Sequence, residues 1–162
     1  MKNKFLKLVF GGLICSISVN AQDMSKTLVP TKHNKDLTLG QIAEIQPGLG
    51  TVMMEFGHRF HIAYYAAKAK NWDLAKYEIH ELIEAQEIAE TTRPKYAKRL
   101  KAFEHAYLDP LNKAIESKDW ASFSQKYTQT VTGCNNCHTE TGHTYIKYKL
   151  PKNPPVVPSM GL

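Results

Sequence analysis

Between Trp120 and His138 the chain keeps returning to one side of a helix. Trp120, Phe123, Tyr127, Val131, Cys134 and His138 follow one another at steps of 3, 4, 4, 3 and 4, the spacing of a single face at 3.6 residues per turn. Asp119, directly ahead of the run, is a fitting N-cap. A stripe of this length has to be buried against other helices, so the rest of the chain must supply them.

Three earlier stretches can do so. From Gly48 to about Lys70, Leu49, Val52, Met53, Phe56, Phe60, Ala63 and Ala67 recur at helical spacing, and Pro47 sits where a first turn tolerates a missing N–H. Gly50 and Gly57 weaken this helix or let something bulky approach it. Asn71 and Asp73 offer caps for a second helix from Trp72, with Leu74, Tyr77, Leu82, Ala85 and Ile88 or Ala89 as its buried side. Its glutamates Glu78, Glu81, Glu84, Glu87 and Glu90 are expected on a solvated flank. Thr91-Thr92-Arg93-Pro94 ends it. A third helix is expected from Lys95 to Leu108, with a kink or break at Asp109-Pro110 before Leu111, Ala114 and Ile115 resume the pattern. No convincing strand pattern or internal repeat appears. The expected fold is therefore all-α, an antiparallel up-down-up-down four-helix bundle over residues 41–142. A polar, flexible lead-in (22–40) precedes it. A Pro-rich extended tail (143–162) follows, laid over the bundle by Ile146, Tyr148 and Leu150.

The first 21 of the 162 residues have the layout of a secretory signal peptide. Lys2 and Lys4 form a positive start, Phe5 to Val19 is mostly apolar, and Val19-Asn20-Ala21 precedes a cut before Gln22. The apolar run is too short and interrupted for a convincing membrane span. An uncleaved anchor helix is the alternative, and a lipoprotein cut at Cys15 is disfavoured by Ile14. The expected compartment is the periplasm, with no transmembrane span in the mature chain. The formal charge is +6, from 21 basic and 15 acidic side chains; without Lys2, Lys4 and Lys7 it is +3. Mixed signs at that level exclude a nucleic-acid footprint and would at most assist docking to an acidic redox partner protein.

Removing the leader leaves two cysteines, Cys134 and Cys137. A bond between residues three apart would close too short a loop to stabilise much. Cys134-Asn135-Asn136-Cys137-His138 instead reads C-x-x-C-H, the signature of covalent haem attachment. Positions i and i+3 put both thiols on one side of a helix, where they can add to two vinyl groups of one porphyrin. His138 stays on that side as an axial ligand of the iron. Gly133 is expected to give the macrocycle room, and Asn135 and Asn136 to act as spacers. A zinc site would need more ligands than His143 could add, and a redox dithiol would need the motif at a helix start after a strand.

In an up-down bundle the end of the last helix lies near the start of the first. The sixth position on the iron is therefore expected from Met53, with Met54 and His58 as alternatives, or is open. Arg59 could pair a propionate or be a surface cation. Phe56, Phe60, Trp120, Phe123 and Tyr127 pack the bundle.

A single C-x-x-C-H at Cys134, Cys137 and His138, late in the last helix of an exported four-helix chain, resembles the class II c-type cytochromes, the cytochrome c-prime group. The resemblance covers roughly residues 45–142, and only the pentapeptide is specific. It implies one covalent haem c and an iron that is either five-coordinate or ligated by a first-helix methionine, here Met53 or Met54. The lead-in and the residues after the last helix depart from that family's pattern. The expected function is a monohaem one-electron carrier, not an enzyme. The alternatives are a five-coordinate haem protein that binds NO or CO and a haem subunit of a periplasmic oxidoreductase. Pairing of two bundles as a homodimer stays open.

Overall fold

The computed structural model describes residues 23–32 and 35–155. The expected signal peptide and the last residues of the tail lie outside them. The described chain is mostly helical and divides into two compact units after Ile45. Among the described residues, no helix is long and apolar enough to cross a membrane.

The first unit holds more local structure than its polar composition suggests. A 3-10 turn at Met24–Lys26 is capped by Asp23. Strands β1 (Leu28–Val29) and β2 (Leu37–Thr38) pair antiparallel, Leu28 opposite Thr38. Helix α1 (Leu39–Glu44) starts on a capping box, Thr38 bonding the Gln41 N–H while Gln41 bonds back to Thr38. α1 follows directly on β2 and falls within the first compact unit.

In the second unit, α2 (Leu49–Lys68), α3 (Trp72–Thr92), α4 (Pro94–Phe103), α5 (Asp109–Glu116) and α6 (Trp120–Glu140) carry the core. α2 lies along α3, α3 meets α4 and α5, α5 meets α6, and α6 returns to α2. Gly48 caps α2, so Pro47 stands outside the helix rather than in its first turn. Ala63, Ala66, Ala67 and Ala75 are fully buried and let α2 and α3 approach closely. At that end Phe60 and Tyr127 stack with ring centroids 4.0 Å apart, and Trp120 meets Tyr64 edge-on. Such pairs contribute about 0.5–1.5 kcal/mol each beyond the area they bury.

The buried face of α3 differs from the expected one by one position. Tyr77 is 50% exposed, and Glu78 is fully buried among Ala75, Ile79 and Leu82. Arg59 of α2 explains the exchange, since its guanidinium reaches Glu78 at 3.1 Å, Glu55 at 2.7 Å and Glu81 at 3.7 Å. With three carboxylates around it, Arg59 is an ion-paired residue and not a free surface cation. Burial pushes the Glu78 carboxyl above its ordinary range despite the opposing pull of Arg59. Glu78 Oε1 has no hydrogen-bond partner.

Pro110 does not break the chain. Between α4 and α5, Glu104–Leu108 widens into a π turn, with the Asp109 N–H bonding the Glu104 carbonyl five residues back. Proline has no N–H and its ring clashes with the carbonyl four residues earlier, and the wider turn moves that carbonyl aside. Pro110 then occupies the first turn of α5, where it costs little.

Asp119 caps α6 as expected, accepting from the N–H groups of Ala121 and Ser122. The helix ends at Gly142, whose φ is +81°. The Gly142 N–H bonds Thr139 O and the His143 N–H bonds His138 O at 2.7 Å, the paired bonds of a Schellman ending. This turn sends the tail back over α2. Tyr65 donates to Pro151 O and His61 to Asn153 O, each at 2.9 Å. Tyr148 sits on Phe60.

Candidate functional site

The last two turns of α6 form one wall of a cavity of about 920 Å³, large enough for a cofactor. Cys134, Cys137 and His138 line it, half-buried. Met53, Met54 and His58 line the α2 wall, flanked by Gly50 and Gly57. A Cβ on Gly50 would meet nothing within 4 Å, and one on Gly57 only Tyr148 at 3.9 Å, so these glycines leave the wall low. α4 contributes Tyr96, Leu100 and Phe103, and the tail closes the cavity with His143, Ile146 and Tyr148. Arg93, Lys95, Arg99 and Lys147 also line it, and Arg99 pairs with Glu140. All six residues expected at the site therefore share one cavity.

Both thiols are free. Burial pushes the Cys134 thiol up to about 12, with Cys137 adding to the effect. Burial also raises Cys137, with Arg99 opposing. A dithiol that exchanges electrons with other proteins depends on a lowered thiol, and these move the other way. Nor do the motif residues form a metal-ion cage. Among the described residues, the one group of three His, Cys, Asp or Glu side chains with converging donor atoms is Glu104, His105 and Asp109. Cys134, Cys137, His138 and His143 do not close on a point as a zinc site requires.

His138 is held in one tautomer. Its Nδ1 lies 3.1 Å from the carbonyl oxygen of Ile146. A carbonyl can only accept, so Nδ1 carries a proton, and in the neutral ring that leaves the Nε2 lone pair open. That is the arrangement of a histidine prepared to ligate a metal.

On the facing wall, Met53 is half-buried and packs against both core clusters. Met54 is 77% exposed, and His58 is exposed as well. Of the two methionines, Met53 has the inner position.

Two expectations about the motif's neighbours change. The space beside Gly133 belongs to Tyr107, not to a macrocycle. A Cβ there would lie 2.7 Å from two carbons of the Tyr107 ring. Asn135 is more than a spacer. Its Nδ2 donates to Tyr148 O at 3.1 Å, and its Oδ1 accepts from the Tyr148 N–H at 2.8 Å. Nothing local announces this pairing, because the partner stands 13 residues on. Gln86, fully buried with its amide on Leu100 O and Glu104, is a further cavity residue that its polar character concealed.

No protein-family model, curated protein or solved structure matches the chain.

Proposed function

We propose that the chain is an exported monohaem c-type cytochrome that carries one electron. In this reading Cys134 and Cys137 would hold one haem covalently, and His138 Nε2 and Met53 would bind its iron. The haem supplies reversible one-electron exchange at its iron, and a His/Met pair raises the potential at which it operates. The residues present fit such a group. Two free thiols three positions apart and an imidazole with an open Nε2 line one wall of a cofactor-sized, mainly apolar cavity. The single observation that carries the reading is the His138 tautomer, fixed by the Ile146 carbonyl.

The chain's own residues do three things. The aromatic and aliphatic side chains Phe56, Leu100 and Phe103 give the cavity an apolar lining. Arg93, Lys95 and Lys147 put positive charge on the cavity lining, where it would suit carboxylate groups. α2 supplies Met53 to the cavity that His138 also lines. The four helical segments α2, α3, α4–α5 and α6 are read as the up-down-up-down bundle of the class II cytochromes, and the leader as the export signal to the periplasm.

Expression in a host that matures c-type cytochromes tests this. The expected product keeps its haem on a denaturing gel, and the double variant Cys134→Ser/Cys137→Ser loses it. The reduced spectrum is low-spin and barely moves under CO. Met53→Ala converts it to high-spin, and Met54→Ala leaves it unchanged. Haem released into the denaturant would refute the attachment. A large, fast Soret shift of the unmodified protein under CO would refute the Met53 ligand and favour gas binding.

A further inference from the structure

The tail after α6 is tied down where the imidazole needs it. Ile146 supplies the carbonyl that holds His138 Nδ1. Two residues on, Tyr148 is gripped at both its N–H and its C=O by the side chain of Asn135. The Ile146 N–H turns back to His143 O at 2.9 Å, and beyond it the chain to Leu150 has no regular structure, so its backbone groups must be satisfied from outside. Asn135 does this as the rung of a sheet would, one donor and one acceptor to the same residue. The Tyr148 ring is fixed too. The Tyr127 hydroxyl lies 3.1 Å from Phe60 O and 2.9 Å from the Tyr148 hydroxyl. Since Phe60 O can only accept, Tyr127 donates to it and Tyr148 donates to Tyr127. Asn135 stands between the two cysteines, so the helix that carries His138 also holds the strand that orients it.

We propose that Asn135 and the segment His143–Leu150 form a clamp that sets the protonated nitrogen and ring orientation of His138, making the tail a tuning element for the metal the imidazole ligates. The inference rests on the haem reading and assigns Asn135 and Ile146 as positioning residues. A hydrogen bond from Nδ1 to a carbonyl makes Nε2 a stronger donor, which favours ferric over ferrous iron and lowers the reduction potential. Releasing the clamp must raise it.

Spectroelectrochemistry of the purified holoprotein tests this. Asn135→Ala removes both bonds to Tyr148. It is expected to shift the ratio of oxidised to reduced protein at a fixed potential by about tenfold toward reduced, ~59 mV for one electron. Asn135→Asp keeps the acceptor for the Tyr148 N–H and loses the donor, so its potential falls between. Tyr65→Phe frees only the Pro151 end of the tail and leaves the potential where it was. Haem retained in Asn135→Ala with an unmoved potential overturns the clamp and leaves the haem reading standing. No covalent haem in the unsubstituted protein overturns the haem reading, and the clamp with it. Should Asn135→Ala give no holoprotein, proton NMR of the unsubstituted protein decides alone. The His138 ring N–H is expected to exchange with solvent at least about tenfold more slowly than an open imidazole N–H, and exchange at the open rate overturns the clamp.

Discussion

Gly133→Ala asks whether the residue ahead of the motif serves the cofactor or the core. In an exposed helix interior the change would stabilise by about 1 kcal/mol, since alanine loses less backbone freedom on folding. Here the added Cβ would sit 2.7 Å from two Tyr107 ring carbons and 2.9 Å from a third. Carbon atoms at rest stand ~3.5–4.0 Å apart, so the ring must retreat by about 1 Å. It cannot move freely. Phe103 packs against it at 5.1 Å between centroids, and its backbone belongs to the π turn. Overpacking of this kind costs ~1–3 kcal/mol. Set against the helix gain, the expected net destabilisation is roughly 0–2 kcal/mol. Tyr107→Ala removes the obstacle, so adding Gly133→Ala to it should stabilise by about 1 kcal/mol. Urea unfolding of the four proteins in this double-mutant cycle isolates the contact. If Gly133→Ala stabilises the protein equally with and without the Tyr107 ring, the steric argument is wrong.

Two further outcomes follow from buried polar groups. Burial raises the Glu78 carboxyl's pKa in the folded protein, so the folded chain holds a proton that the unfolded chain has already released. Stability is then lost as pH climbs from the ordinary carboxylate range through the raised value. Glu78→Gln should flatten that slope in urea midpoints measured between pH 4 and 7, and parallel slopes would contradict it. Tyr127→Phe strips the hydroxyl that joins Phe60 O to Tyr148. It should cost about 1–2 kcal/mol and speed tryptic cleavage at Lys147 and Lys149, whereas unchanged stability and cleavage would show that the hydroxyl chain does not hold the tail.

Helical periodicity made α6 and its cap legible, because Asp119 and the stripe from Trp120 are local signals. It brought Cys134, Cys137, His138, Met53, Met54 and His58 to one cavity for the same reason, since two apolar faces at the right spacing have few ways to meet. It failed where a distant residue overrode local character. Glu78 reads as surface until Arg59, 19 residues earlier, gives it a partner and leaves Tyr77 outside. Asn135 reads as filler until the chain returns. Pro110 reads as a break because hydropathy carries no sign of a π turn. The lead-in looks unstructured because two-residue strands leave no period.

The Gly142 turn has a consequence for reading relatives of this chain. Ile146, whose carbonyl meets His138 Nδ1, is encoded after the motif, and Asn135 inside the motif grips the segment that brings it back. A chain ending at Gly142 would keep the whole pentapeptide, every helix and the facing methionine. A motif search would score it as identical. Its imidazole would nonetheless face water at Nδ1. Two such chains would share a signature and differ in how that imidazole is held, because the carbonyl that meets its Nδ1 comes from outside the motif.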